Sequence, residues 1–130
     1  MFKVLIALVA AAAAVVAAPV EQMEERITHT GQATYFAVGL GACGWTNSDS
    51  DFIVALNAPQ YTAQNGANCG QWLTITNEQN GNTAQAYVAD ECPGCAEGSL
   101  DMSPSLFSQL ANGNMDEGVF PISWHFNKRS

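Results

Sequence analysis

The sequence predicts an all-β domain, and three observations lead there. Runs with the length and period of a strand recur at 32–36, 52–56, 72–76, 85–89 and 119–126. Between them stand clusters of Gly, Asn, Ser and Pro, which turn a chain rather than extend it. The clearest helical signature, at 104–110, is short, so one or two short helices are expected in all. A length of 130 residues leaves room for one domain.

The chain opens with Lys3 and then an uncharged apolar run, Val4 to Ala18, that closes on Ala17 and Ala18 before Pro19. A short, alanine-rich run followed by Glu21, Glu24 and Glu25 has the form of a cleaved leader rather than a membrane span. Residues 1–18 are therefore expected to be a signal peptide, and the mature protein to be secreted. Residues 19–30 are polar and aperiodic and read as a tail or pro-segment, with His29 expected in solvent. The folded domain is expected over 31–127.

Within that domain, 32–36 reads as a strand that breaks at Gly39 and Gly41. Gly44 to Asp51 is a polar turn carrying one large aromatic, Trp45, which suits a sugar-stacking platform and equally a plug beside a disulfide. Phe52 to Leu56 is continuously apolar, as a buried strand would be, and Asn57-Ala-Pro59 ends it. A Gly- and Asn-rich connection follows over 60–70. From Trp72 to Thr76, Trp72, Thr74 and Thr76 alternate with Leu73 and Ile75, so one face is core and the other is presented outward. Asn80-Gly81 marks a hairpin turn.

The densest chemistry lies between Tyr87 and Phe107. A strand over 85–89 is expected to stop at Asp90, and Cys92-Pro93-Gly94-Cys95 is a tight turn. Ser103 suits an N-cap and Pro104 the first helical position, with Leu106, Phe107 and Leu110 as the apolar face. Two carboxylates, Asp90 and Asp101, thus flank a cysteine-stapled loop. Such a pair suits acid–base work on a glycosidic bond; the same residues also suit capping of the loop's backbone N–H groups. In the last strand Ile122, Trp124 and Phe126 share one face, with His125 on the other.

Charge narrows the partners. The formal charge of −8 becomes −9 once 1–18 are removed, because that segment holds one of the four basic residues and none of the twelve acidic ones. An acidic chain is poorly suited to nucleic acid, to anionic lipid and to polyanionic glycans. A neutral polysaccharide such as glucan or chitin remains compatible. The four cysteines of an exported chain imply two disulfides, with three pairings open. Cys92-x-x-Cys95 lacks the second ligand pair of a zinc site, and no metal or cofactor is expected.

Several motifs resemble one family. Asp90-x-Cys92-Pro93-x-Cys95 followed by Leu100-Asp101-Met102-Ser103-Pro104-x-x-Phe107 resembles the signature of RlpA-like double-psi β-barrels. That superfamily contains expansins, the single-domain fungal loosenins, RlpA lytic transglycosylases, barwin-type proteins and family-45 endoglucanases. Gly31-Gln-Ala-Thr34-Tyr35 is similar to their first strand, and Gly41-Ala-Cys43-Gly44 to their first cysteine motif. Cys69-Gly70 with Trp72 to Thr76 is similar to their central strand, and Gly118 to Trp124 to their last. The resemblance covers about 31–126 and is nearest to the loosenin type, which implies a six-stranded double-psi β-barrel.

The resemblance also implies roles. It pairs Cys43 with Cys69 and leaves Cys92 for Cys95. It makes Asp101 the proton-donor aspartate, Asp90 its supporting neighbour and Thr34 a groove threonine, while Cys92 stands where bacterial expansins carry a groove tyrosine. Tyr35, Trp45 and Trp72 are the remaining candidates for substrate contact. Family-45 endoglucanases place a general base just beyond the equivalent of Thr34. Here Tyr35-Phe36-Ala37-Val38 follows, and the next acids are Asp49 and Asp51, in a stretch that suits a surface turn. The expectation is a monomeric, expansin-like protein that binds neutral cell-wall polysaccharide and loosens it without appreciable hydrolysis. The alternatives are a glycan-cleaving enzyme, endoglucanase-like or transglycosylase-like, and a barwin-like interaction protein. The second, carbohydrate-binding domain of plant expansins is not expected in this chain.

Overall fold

A computed structural model describes residues 24–129; the expected leader lies outside them. Six strands form the domain: β1 (His29–Tyr35), β2 (Ile53–Asn57), β3 (Trp72–Asn77), β4 (Thr83–Cys92), β5 (Leu100–Met102) and β6 (Phe120–Phe126). They close into a barrel in the order β1-β5-β2-β4-β3-β6. The β1–β5 and β2–β4 pairs are parallel and the other four antiparallel, so the sheet is mixed and has no free edge. Among the described residues, two short helices, α1 (Ala58–Ala63) and α2 (Pro104–Leu110), and one 3₁₀ turn (Met115–Glu117) stand between the strands.

Inward alternation fills the interior. Ala33, Val54, Leu56, Leu73, Ile75, Ala86, Val88, Leu100, Met102, Ile122 and Trp124 are at most 1% exposed, and Leu106, Phe107 and Leu110 of α2 plug one end. The patterns read in β3 and β6 hold: Leu73 and Ile75 point in, as do Ile122, Trp124 and Phe126. The hairpin at Asn80-Gly81 also holds, with Gly81 at φ 80°. Its asparagines have a second task. Asn77, Asn80 and Asn82 donate from their side-chain amides to the Leu110 carbonyl, satisfying an orphan acceptor at the end of α2.

Three boundaries differ from expectation. β4 runs through Asp90 to Cys92, because β2 offers Ala55, Leu56 and Asn57 as parallel partners to Asp90, Glu91 and Cys92. His29 is not a tail residue but opens β1. Its ring lies 4.4 Å from that of Trp124, and burial lowers its pKa, against the opposing pull of Glu97. The connection after β2 contains α1, capped by Asn57 Oδ1 accepting from Gln60 N at 3.0 Å and carrying a proline in its first turn. Asn57-Ala-Pro59 is therefore a helix start as well as a strand end, with an N-cap and a proline at the positions such a start favours.

Both disulfides follow the pairing that the resemblance implied, Cys43–Cys69 and Cys92–Cys95. The first ties the loop of residues 39–46 to the approach to β3. The second closes the turn after β4.

Candidate functional site

The two aspartates meet through strand register. Ala55 of β2 pairs with Asp90 of β4 on one side and with Asp101 of β5 on the other, and Asp101 pairs in turn with Thr34 of β1. Asp90, Ala55, Asp101 and Thr34 therefore form one row across four strands. Val54 and Leu56 point into the core, so Ala55 and its row partners face outward. At about 4.8 Å per strand, the two aspartates stand roughly 9.5 Å apart at their Cα atoms.

A bulge puts Asp90 there. Val54 pairs with Val88, yet Ala55 pairs with Asp90, so Ala89 is an extra residue in β4. Without it, alternation from outward Tyr87 would place Ala89 outward and drive Asp90 into the core. The extra residue flips the phase, and both carboxyls emerge on one face.

Each carboxyl is then fixed differently. Thr34 Oγ1 donates to Asp101 Oδ1 at 2.7 Å. Burial raises the Asp101 pKa above the usual carboxylate range, the Thr34 hydroxyl opposes that, and the charge of Asp90 adds to it. Asp90 Oδ1 accepts from Ala42 N and from Glu91 N, each at 2.8 Å. The loop over Asp90 can come this close because residue 41 is glycine: a Cβ there would lie 2.3 Å from the Ala89 carbonyl oxygen and 3.1 Å from Asp90 Cβ. Asp90 thus both caps a loop and stands in the row.

An aromatic strip continues from the row. Tyr87 lies on β4 ahead of Asp90, its ring 5.1 Å from that of Trp72 and 6.3 Å from that of Trp45. Trp72 is its cross-strand partner. Both indoles are substantially exposed, Trp45 by 44% and Trp72 by 47%. Asn47 Nδ2 donates to the Tyr87 hydroxyl at 2.7 Å and to Asp51 Oδ2 at 3.1 Å, holding the phenol in place. Tyr87 is not among the candidates that the sequence motifs nominate. The signal that could have found it is its outward alternation against Ala86 and Val88, beside a tryptophan-bearing strand.

Tyr35 departs from expectation. The motif groups it with Thr34, but neighbours on a strand project to opposite faces. Its ring packs 4.7 Å from Phe107 and its hydroxyl donates to the Met115 carbonyl at 3.3 Å, which ties it to the α2 end of the barrel. Asp49 and Asp51 organise their own turn. Asp49 accepts from Val38 N at 2.8 Å, and the Ser48 N–H followed by the Asn47 amide holds the Asp51 carboxyl below its ordinary range. Among the described residues no three His, Cys, Asp or Glu side chains gather as metal ligands.

A closed six-stranded mixed barrel with two parallel pairs and an aspartate row on its outer face defines an expansin-like double-psi β-barrel. The chain belongs to the Barwin family, which matches residues 41–126. It is 40% identical over 103 residues to Allergen Asp f 7 of Aspergillus fumigatus, covering 75% of this chain and 36% of that protein. A mutant Clavibacter michiganensis expansin, solved in complex with cellohexaose, superposes with TM-score 0.68 and 30% identity over 80% of this chain and 52% of its own. Streptomyces papain inhibitor superposes with TM-score 0.68 and 32% identity, over 79% of this chain and 96% of its own. The chain thus spans about a third of that allergen's length and half of that expansin's.

Proposed function

We propose that this chain is a secreted, monomeric, expansin-like protein that binds a neutral cell-wall polysaccharide and loosens its packing without appreciable hydrolysis. One observation carries the reading: the aromatic strip Trp72–Tyr87–Trp45 runs along the same outer face as the row Asp90–Ala55–Asp101–Thr34. Aromatic faces take the apolar faces of sugar rings, and the carboxyls and the Thr34 hydroxyl take sugar hydroxyls. The expansin neighbour solved with cellohexaose supports a glucan as the polymer.

The residues beside the row support binding without cleavage. Tyr35-Phe36-Ala37-Val38 follows Thr34 where a family-45 endoglucanase carries its general base, and an inverting mechanism needs such a base to activate water. The next acids, Asp49 and Asp51, are engaged within their own turn. The test is a pull-down on insoluble cellulose, chitin and xylan, with sensitive detection of new reducing ends and anhydro-sugars. Retention on at least one polymer without new ends is expected. Retention on none sinks the reading, and product that disappears in Asp101→Asn makes the protein an enzyme.

A second reading rests on the papain inhibitor, whose chain is matched over 96% of its length. In that reading the same scaffold engages a protein. Inhibition of a papain-type protease at stoichiometric concentration would favour it.

A further inference from the structure

Beside the aromatic strip lies a cleft of about 360 Å³ walled by Trp45 and Trp72 and floored by Cys69, Gly70 and Gln71, with Lys128 and Arg129 on its remaining side. The chain has four basic residues against twelve acidic ones, so two cations on one cleft invert the local charge. The two differ in availability. Arg129 is committed to the fold: its guanidinium donates to the Ala67 carbonyl at 3.3 Å and to Gln71 Oε1 at 2.7 Å, and lies 3.8 Å from Glu24. Lys128 carries no salt bridge among the described residues. The residue before it is held: Asn127 N donates to the Trp72 carbonyl at 2.8 Å and Asn127 Oδ1 accepts from Thr74 Oγ1 at 2.8 Å. The arrangement is an ammonium without a salt bridge among the described residues, one residue beyond an anchored Asn127 and beside two exposed indoles.

From this geometry we infer that the cleft selects a glycan that is neutral along its backbone but carries isolated carboxylate substituents, of the uronic acid class. This deepens the polysaccharide reading and rests on it. A sugar ring laid against Trp72 brings a ring-borne carboxylate within reach of Lys128, which supplies a compact point charge with three donors. The overall negative charge sets the limit: a polyanion is repelled by the rest of the surface, whereas one carboxylate meets only the local cation. An exposed ion pair of this kind changes affinity by about two- to fivefold.

The experiment compares a xylo-oligosaccharide bearing one glucuronic acid with the same molecule after reduction of its carboxyl to the alcohol. Both are titrated calorimetrically into the wild-type protein, Lys128→Gln and Lys128→Arg, at low and high salt. The wild type is expected to prefer the acidic form by about two- to fivefold at low salt and to lose the preference at high salt. The ratio should fall to about one in Lys128→Gln and persist in Lys128→Arg. Equal wild-type affinities, a preference surviving in Lys128→Gln, or loss of both ligands in that variant overturns the inference. Binding of neither ligand by the wild type removes the polysaccharide reading itself.

Discussion

Asp101→Asn should make the protein more stable at neutral pH and leave it unchanged in acid. The Asp101 pKa lies above its ordinary value, chiefly through burial, so the folded state disfavours the ionised form. The sign follows directly. The folded state holds the proton over a pH range where the unfolded state has released it, so stability falls as pH rises from the ordinary carboxylate range through the raised pKa. Asparagine imitates the neutral carboxyl and still accepts the Thr34 hydroxyl. The substitution relieves the desolvation of the charged form and the repulsion from Asp90; with the Cα spacing of about 9.5 Å taken as the charge separation, that repulsion amounts to roughly 0.4 kcal/mol in water and about 1.7 kcal/mol at an effective dielectric constant of about 20. Both groups are partly exposed, so about 0.5–1 kcal/mol is the expected gain, or roughly 2–5 °C in Tm. Differential scanning calorimetry of both proteins at pH values well below and well above the carboxylate range measures it. A variant no more stable than wild type at neutral pH, or a gain of equal size in acid, would refute the idea that the ionised Asp101 carboxylate strains the fold.

Other perturbations separate binding from folding. Trp72→Ala should weaken retention on polysaccharide about tenfold, the order of an aromatic contact, while unfolding in denaturant shifts little because the indole is 47% exposed. Gly41→Ala should destabilise by about 1–3 kcal/mol in urea, since its Cβ would strike the Ala89 carbonyl and displace the loop that holds Asp90. Replacing Cys43 and Cys69 by alanine should cost about 3.5 kcal/mol, because that bridge spans 26 positions. The same change at Cys92 and Cys95, only 3 apart, should cost about 1.6 kcal/mol in the chain-entropy relation. The order of the two denaturation midpoints checks this, and a reversed order would contradict it.

Much of the barrel was legible because local pattern and burial agree. Leu73 and Ile75 in β3, and Ile122, Trp124 and Phe126 in β6, alternate inward as their order in the chain demands. Asp90, Asp101 and Thr34 were nominated as candidates through their motifs, and strand register sets them in one row. Other features escaped for definite reasons. Tyr87 gains its place only when β3 lies beside β4 and the loop carrying Trp45 folds over both. His29 resembles a tail residue in sequence because its partner Trp124 stands 95 positions away. Tyr35 leaves the row because adjacency along a strand means opposite faces, and Phe107 decides which face is covered.

By itself, the order of amino acids determined which residues have strand periodicity, where the turns fall, and that two motif aspartates, three tryptophans and four cysteines are available. Only the tertiary structure decided which of them share a face. The extra residue at Ala89 aligns Asp90 with Ala55 and Asp101, and that alignment depends on which strands are neighbours around the closed barrel. Alternation has a period of two, so one residue of slip exchanges inside for outside. Register across strands is a long-range property that no local window of sequence contains.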